Sequence, residues 1–367
     1  MSWPVVANSG ILDIAPYVGG GSSVAGAATV VKLSSNEGAL GPSPKAVEAY
    51  RAVGRDIFRY PDGGATRLRA AISEVSGLDR DRLICGSGSD ELLSLLARCY
   101  AGEGDEVLHT EHGFLMYPIC AKSVGAKPVA AKETNLTADV DALLAAVTDR
   151  TRVLFLANPN NPTGSFLGLD ELERLRAGLP DEVLLVLDGA YAEYVEASDY
   201  DPGAALVDAN PDNTVMTRTF SKIYALGGLR LGWAYGGAGV VDALNRIRGP
   251  FNVSAAALAA GEAAIRDRAF MIAVRDHTRL WRDRLTAALE GLGLSVAPSV
   301  CNFVLVEFPD TPGRDAAAAD AFLKSRGVIV RRVEACGLPR SLRVTIGTEA
   351  ETTALIDAVA AFRNQNP

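Results

Sequence analysis

Short apolar runs alternate with longer segments of helical periodicity from about residue 80 to residue 250. Between most of the runs lie segments such as DELLSLLARCY and LDELERLRAGL, in which apolar residues recur every three or four positions. Apolar strands that alternate with helices indicate a mainly parallel sheet covered on both faces, and hence an α/β fold. The predicted strands are Arg82–Cys85, Glu106–Thr110, Lys127–Ala131, Arg152–Ala157, Glu182–Asp188, Asn213–Thr219 and Arg230–Gly236.

The pattern changes after about Phe251. A long helical segment over residues 254–293 is followed by apolar runs at 302–308, 327–332 and 341–347 and by a last helix at 350–365. Helix, strands and helix without strict alternation predict a smaller α+β C-terminal domain. We therefore predict an N-terminal arm or lid over residues 1–40, a large domain over 41–255 and a small domain over 256–367.

Composition narrows the class of protein. With 367 residues, 48% of them hydrophobic, the chain has enough apolar surface for a large core. A net charge of -8 and a pI of about 5.1 argue against nucleic acid as a partner. The N-terminal sequence lacks a basic region followed by an apolar one, and no run is long enough for a membrane span, so we predict neither export nor a membrane partner.

The cysteines and histidines do not suggest a disulfide framework or a metal site. The cysteines are odd in number, scattered and without a C-x-x-C pair, which favours a reducing, cytoplasmic setting. His109 and His112 are spaced like a pair of metal ligands, but no third ligand is near in sequence, so no metal is predicted. The cysteines are Cys85, Cys99, Cys120, Cys301 and Cys336.

Ligands of open α/β sheets bind beyond the carboxyl ends of the strands, and the first such turn here is GSGSDE. Gly88 permits a tight turn, and the amides of Ser89 and Asp90 open the next helix, which suits a phosphate. A dinucleotide fingerprint would need a glycine where Glu91 stands. A simple serine N-cap is the other alternative, and the turn alone leaves all three interpretations open.

Later strand ends add polar groups of other kinds. NPNNPTG presents the amide of Asn161, and the next strand ends at Asp188, with Tyr191 three residues later. A carboxylate at the end of a buried strand is costly unless a cation meets it. The stretch TFSKIYALGGLR then supplies a lysine and an arginine, Lys222 and Arg230.

Pyridoxal phosphate is one ligand that uses all of these groups. Its phosphate suits Ser89, Ser221, Arg230 and the helix N-terminus, and its ring nitrogen suits Asp188. Its phenolic oxygen suits Asn161 and Tyr191, and its aldehyde suits Lys222.

The motifs NPNNPTG, LDGAYAEY, TFSKIYALGGLRLGW and SLRVTIGT resemble those of fold-type I, class I/II aminotransferases, and particularly histidinol-phosphate aminotransferases. YPDGGATRLRAAIS and GSGSDELLSLLARCY extend the similarity toward the N-terminus. The resemblance implies a pyridoxal phosphate enzyme with the fold-type I architecture. It implies that Lys222 joins the cofactor aldehyde covalently and later moves a proton from the substrate Cα. Asp188 and Tyr191 complete the implied catalytic set, and Gly88, Ser89 and Asp90 belong to the implied cofactor site.

The same resemblance assigns further roles. Phe114 stacks on the pyridine ring, and Tyr60 reaches the cofactor phosphate of a neighbouring subunit, which implies a homodimer. Arg343 takes the anionic group of the substrate. Tyr17 and Arg331 match positions that grip a substrate phosphate, although Arg332 is an adjacent competitor, since neighbouring residues of a strand face opposite sides.

One departure and several alternatives remain. Asn36 matches a substrate-binding position, but NEGALG stands where family members often have NENPLG, so the resemblance does not fix the local conformation after Asn36 and Glu37. The expected reaction converts histidinol phosphate and 2-oxoglutarate to imidazole acetol phosphate and glutamate. An aromatic amino-acid aminotransferase or a phospho-amino-acid decarboxylase would keep the same cofactor residues. A nucleotide-binding dehydrogenase or a cofactor-free binding protein is the alternative from another class.

Overall fold

The computed structural model describes Val5, residues 7–24 and residues 30–365. Its strands are β1 (Val31–Lys32), β2 (Leu83–Gly86), β3 (Glu106–Thr110), β4 (Lys127–Ala131), β5 (Glu133–Thr134), β6 (Thr137–Ala138), β7 (Thr151–Ala157), β8 (Leu184–Asp188), β9 (Thr214–Thr219), β10 (Gly232–Tyr235), β11 (Ser295–Ala297), β12 (Phe303–Glu307), β13 (Val328–Ile329), β14 (Arg331–Arg332) and β15 (Ser341–Thr345). Its helices are α1 (Pro44–Ala52), α2 (Thr66–Ser76), α3 (Ser89–Tyr100), α4 (Met116–Ser123), α5 (Val140–Ala145), α6 (Leu169–Gly178), α7 (Ala204–Ala209), α8 (Ala238–Ile247), α9 (Ala255–Arg266), α10 (Arg268–Gly291), α11 (Ala316–Ser325) and α12 (Glu349–Gln365).

The larger sheet has seven strands in the order β2-β10-β9-β8-β7-β3-β4. The pairs from β9 to β4 are all parallel, whereas β10 runs antiparallel to both of its neighbours. The strands β2, β3 and β8 are buried along their whole length, as expected for a sheet covered by helices on both faces. The predicted mainly parallel α/β sheet is therefore confirmed.

The direction of β10 was not predicted, and it matters for the site. Residues 220–231 connect β9 to β10 without an α-helix, whereas parallel neighbours are usually joined by a crossover that contains one. The connection turns the chain back, so that β10 runs antiparallel to β9 and Gly232 pairs with Thr219. The whole segment with Lys222 and Arg230 thus lies at the carboxyl edge of the parallel strands.

The smaller sheet is antiparallel, in the order β11-β12-β15-β14, and α10, α11 and α12 pack around it. The predicted single strand over 327–332 is wrong in one respect, because the structure divides it at Val330. β13 pairs in parallel with β1 from the N-terminal segment, whereas β14 pairs with β15. The two halves face different partners, which a continuous run of apolar and basic residues does not reveal.

The helix predicted over 254–293 is also interrupted, at Asp267. That residue has φ -86 and ψ 63, outside the helical region, and it separates α9 from α10. Its carboxylate accepts hydrogen bonds from Ser43 Oγ (2.5 Å) and Lys45 Nζ (3.0 Å) at the start of α1. A tertiary contact therefore stabilises the break.

The domain limits of 40 and 255 remain a prediction. β1 pairs with β13 of the small sheet, and α9 packs against α1 and α2, so both predicted limits are crossed by close packing. Within residues 7–24 and 30–365, no helix combines the length and the apolar character that a membrane span requires.

Candidate active site

A cavity of about 360 Å³ opens at the carboxyl edge of the large sheet, where the small domain meets it. The turns after β2, β7, β8 and β9 reach it from one side, and β14 and β15 reach it from the other. The structure brings together there these predicted site residues: Tyr17, Asn36, Ser89, Asp90, Phe114, Asn161, Asp188, Tyr191, Ser221, Lys222, Arg230, Arg331 and Arg343.

Lys222 lies in the turn after β9 and extends its amine into the cavity. Its Nζ is 3.4 Å from the Ser35 carbonyl oxygen and 5.7 Å from the centre of the Tyr191 ring. Burial, aided by the positive charges of Arg343 and Arg230, lowers the pKa of Lys222 to about 8. An appreciable fraction of the amine is therefore neutral near pH 8, and a neutral amine is both a nucleophile and a base.

Asp188 ends β8 and is only 4% exposed. Its two carboxylate oxygens accept hydrogen bonds from Tyr117 Oη (3.0 Å to Oδ2) and Thr217 Oγ1 (3.2 Å to Oδ1). Burial raises the pKa of Asp188 to about 6 although both hydroxyls oppose the shift. Its side-chain partners in the described residues are hydroxyls rather than cations, so this carboxylate suits a cationic ligand group.

The residues predicted to bind phosphate lie at one end of the cavity, where α3 begins at Ser89. Gly88 has φ 87, and a Cβ there would lie 2.6 Å from Arg230 Nη2, so this glycine allows a close approach. Arg230 donates to Asp90 Oδ2 (3.0 Å) and to Ser221 Oγ (3.4 Å). A helix N-terminus beside a guanidinium and two serines is a suitable anion site.

Asn36 has the left-handed conformation (φ 55). Its Nδ2 donates to Tyr191 Oη (2.8 Å), and Thr345 Oγ1 donates to its Oδ1 (3.0 Å). The side chain that we assigned to substrate thus lines the cavity and also holds the tyrosine hydroxyl. Burial raises the pKa of Tyr191, which keeps that hydroxyl protonated.

Arg343 and Arg331 occupy the end of the cavity next to the small sheet. Arg343 Nη1 donates to Asn161 Oδ1 (2.5 Å), and its Nη2 donates to the Ser34 carbonyl oxygen (2.9 Å). Arg331 Nη2 donates to the Val18 carbonyl oxygen (2.8 Å), with its guanidinium carbon 5.9 Å from the centre of the Tyr17 ring.

Arg332, the competitor of Arg331, does not line this cavity and instead pairs with Glu334 (2.5 Å). The alternation of side chains along β14 therefore directs Arg331 inward.

Tyr60 is the predicted site residue that lies away from the cavity of its own chain. It is 82% exposed and stacks on Phe251, with ring centroids 4.7 Å apart. Ile57 and Phe58 beside it are 77% and 71% exposed, so these aromatic and aliphatic side chains form an apolar patch.

Phe114 lines the cavity, with its ring edge-on to that of Tyr117 and the ring centroids 5.9 Å apart, and its stacking on a pyridine ring stays a prediction.

Tyr117 and Thr217, the two side-chain donors to Asp188, were not predicted from the sequence. Thr217 is directly opposite Asp188 in the register of β8 and β9, so the strand alignment could have indicated it. Tyr117 lies 71 residues from Asp188, and nothing local distinguishes it from a core tyrosine.

The histidines and cysteines of the described residues form no group of three or more potential metal ligands with Asp or Glu. His109 instead contacts the Thr110 carbonyl oxygen (2.7 Å), and burial lowers its pKa.

The sequence matches a known protein family and several named relatives over nearly its full length. The sequence profile described as aminotransferase class I and II matches residues 28–359. Histidinol-phosphate aminotransferase of Rhodospirillum centenum is 60% identical over 359 residues, covering 98% of each chain. The enzyme of the same name from Paramagnetospirillum magneticum is 58% identical over 353 residues, covering 96% of this chain and 97% of the relative.

Solved structures agree with the profile match. The crystal structure of histidinol-phosphate aminotransferase from Sinorhizobium meliloti in complex with pyridoxal-5'-phosphate has a TM-score of 0.86 at 29% identity, covering 92% of both chains. Aspartate aminotransferase from Thermus thermophilus with maleate has a TM-score of 0.81 at 23% identity, covering 91% of this chain and 92% of that one, and shares the fold. The predicted resemblance is confirmed, and this chain belongs to the class I and II aminotransferase family.

Proposed function

We propose that this chain transfers the amino group of histidinol phosphate to 2-oxoglutarate, forming imidazole acetol phosphate and glutamate, with pyridoxal 5'-phosphate as cofactor. The observation that carries the proposal is that one cavity holds Lys222 with Arg230, which lies beside the start of α3, and with Arg331 and Arg343 of the small sheet, and that Arg343 and Arg230 both act on the Lys222 amine. A cofactor phosphate and the anionic group of a substrate would occupy opposite ends, with the amine between them.

The donor groups of the cavity fit this cofactor. Among the residues that the structure describes, the buried Asp188 has no cationic side-chain partner. Arg230 and Ser221 adjoin the N-terminus of α3, and the pKa of the Lys222 amine is lowered. When bound, the cofactor supplies an aldehyde for the amino group and a protonated ring that accepts electrons as the donor loses its Cα proton. Asp188 would hold the proton on the ring nitrogen, and Ser89, Ser221 and Arg230 would hold the phosphate.

Lys222 is the residue that we assign to proton transfer. Its Nζ would take the proton from the Cα of the amino donor, a task that requires the neutral amine. The lowered pKa favours that form near pH 8. Asn161 and Tyr191 would bind the phenolic oxygen of the cofactor, with Tyr191 oriented by Asn36.

Substrate choice rests on the two arginines. Histidinol phosphate carries a phosphate ester on its Cα side where glutamate carries its α-carboxylate. Histidinol phosphate and glutamate must both fit the same site, one in each half-reaction. Two guanidinium groups near Tyr17 offer more donors than one carboxylate uses, and they suit phosphate oxygens bidentately. Relatives named histidinol-phosphate aminotransferase over nearly the full length support this choice.

A panel of amino donors with 2-oxoglutarate tests the proposal, with glutamate as the measured product. We expect the highest kcat/KM with histidinol phosphate among histidinol phosphate, phenylalanine, tyrosine and phosphothreonine. Preference for phenylalanine or tyrosine would support an aromatic aminotransferase instead. Release of CO2 from phosphothreonine without glutamate formation would identify a decarboxylase.

Replacing Arg331 with alanine should raise KM for histidinol phosphate about 100-fold, because one bidentate charge-assisted contact is lost. KM for glutamate should change less than about 5-fold, since Arg343 remains for the carboxylate. Steady-state kinetics with both donors measure the difference, and Arg332→Ala serves as a matched control. Equal effects of Arg331→Ala on the two donors would remove the support for a phosphate-binding role.

We further infer that the active form is a homodimer in which Tyr60 serves the cavity of the partner subunit. The support is its exposure in an apolar patch away from its own cavity. Tyr60→Ala should weaken cofactor binding about tenfold through loss of a hydrogen bond to phosphate.

Subunit mixing makes the dimer prediction specific. Mixed dimers of Tyr60→Ala and Lys222→Ala chains contain one complete cavity. At a cofactor concentration that loads the parent but leaves Tyr60→Ala mostly empty, activity should recover to about a quarter of the parent value after random reassortment. Absence of recovery, or an active monomer in light scattering, would contradict the arrangement. The cytoplasmic location stays a prediction from the scattered cysteines.

A further inference from the structure

Two buried hydroxyl groups that are not assigned to cofactor binding donate hydrogen bonds to the carboxylate of Asp188. Tyr117 and Thr217, the donors to its two oxygens, are both 0% exposed. The lengths are 3.0 Å from Tyr117 and 3.2 Å from Thr217. Each carboxylate oxygen thus has its own neutral donor, and a buried carboxylate depends strongly on such donors.

Tyr117 is held so that its hydroxyl has little freedom. Its ring stacks on Phe155 of β7 with centroids 5.1 Å apart and planes 9° apart, and Phe114 meets it at 89°. Burial and the charge of Asp188 raise the pKa of Tyr117 well above its usual value. The hydroxyl therefore keeps its proton and acts as a donor to the carboxylate throughout the physiological range.

The electrostatic surroundings make these donors necessary. Burial is the largest cause of the raised pKa of Asp188, and the negative charge of Asp90 acts in the same direction. The hydrogen bonds from the side chains of Tyr117 and Thr217, and a smaller one from the backbone N–H of Ala190, act in the opposite direction. Without them the carboxyl group would bind a proton more readily and would compete for the proton of a ring nitrogen next to it.

We propose that Tyr117, together with Thr217, is a positioning residue that keeps Asp188 ionised and aimed at the cavity, so that the proton of the pair stays on the cofactor's ring nitrogen. The proposal rests on the proposed function, because it concerns the cofactor assigned there. Tyr117 also touches Phe114, which links the carboxylate to the wall on which the pyridine ring is expected to stack.

The test uses the holoenzyme loaded with pyridoxal phosphate labelled with 15N at the ring nitrogen. In Tyr117→Phe the 15N resonance should move toward that of unprotonated pyridine, and the affinity of the apo protein for the cofactor should fall about tenfold. Thr217→Val should shift both quantities in the same direction. A merely structural role would not change the protonation of the ring nitrogen.

Tyr235→Phe is the matched control, because it also removes a buried tyrosine's hydrogen bond to an aspartate, here Asp208 (2.6 Å), but outside the cavity. It should leave both quantities unchanged. A cofactor analogue with carbon in place of the ring nitrogen should bind Tyr117→Phe as well as the parent.

The experiment distinguishes failure of the proposed function from failure of the role assigned to Tyr117 and Thr217. If the parent binds no pyridoxal phosphate, the proposed function falls. If the parent binds it with a protonated ring nitrogen and both variants match the parent in resonance and affinity, the role of Tyr117 and Thr217 is overturned while the proposed function stands. Circular dichroism of the apo variants checks folding, and Thr217→Val alone decides the question should Tyr117→Phe not fold.

Discussion

Lys222→Ala should lower transamination by at least about 10⁴-fold, because the variant lacks both the nucleophile for the cofactor aldehyde and the base for the Cα proton. The structure offers no substitute amine, since Lys222 is the one lysine among the described residues that line the cavity. Single-turnover measurements of glutamate formation give the size of the loss. Lys132→Ala, which removes an 83% exposed lysine paired with Glu111, is the control and should retain parent activity.

Two further measurements make the role of Lys222 specific. Borohydride reduction of the loaded parent followed by peptide mass mapping should place the pyridoxyl label on Lys222. The apo parent should take up the cofactor faster as the pH rises through about 8, because the pKa of Lys222 is lowered to about 8 and the amine is neutral above it. A label on another residue would contradict the assignment of the nucleophile.

Asp188→Asn should lower the rate of Cα proton removal about 10³-fold while cofactor and donor still bind, because an amide does not hold a proton on the ring nitrogen. The change keeps the size of the side chain, so one of the two hydroxyls of Tyr117 and Thr217 retains an oxygen acceptor and the other can accept from the amide nitrogen. Single-turnover absorbance traces measure the proton-transfer step separately from binding.

The control for this change is another aspartate that accepts a tyrosine hydroxyl. Asp208 accepts from Tyr235 and pairs with Arg82, but does not line the cavity. Asp208→Asn should leave the single-turnover rate within about twofold, as surface substitutions usually have small effects. Equal rates of Asp188→Asn and the parent would refute the role of Asp188.

Local patterns predicted the elements well. The seven strand predictions of the large sheet agree with β2, β3, β4, β7, β8, β9 and β10 to within two residues at either end. A run of buried β-branched and aliphatic residues bounded by glycine, proline or asparagine depends mainly on neighbours in sequence. The short strands β1, β5, β6 and β11 were not predicted. Two further errors, at Asp267 and Val330, occur where a distant segment determines the local conformation.

Local sequence patterns predicted only those site residues that come directly after a strand of the large sheet. Asp188 and Lys222 come directly after β8 and β9, and the fold rule for parallel sheets brings such positions to one edge. The motif resemblance added Arg331 and Arg343 from the small sheet, which no local pattern connects to that edge. Neither route predicted that Asn36 would hold Tyr191, because that contact joins residues 155 positions apart.

By itself the sequence determined the order of strands and helices, the chemical character of each strand end and, through its motifs, the family. Those properties depend on covalent order and on side-chain periodicity. Only the tertiary structure decided that β10 turns back beside β9, that Arg331 rather than Arg332 faces the cavity, and that Tyr117 donates to Asp188. Such contacts arise from packing between distant segments, where distance and burial, rather than residue type, decide which polar groups meet.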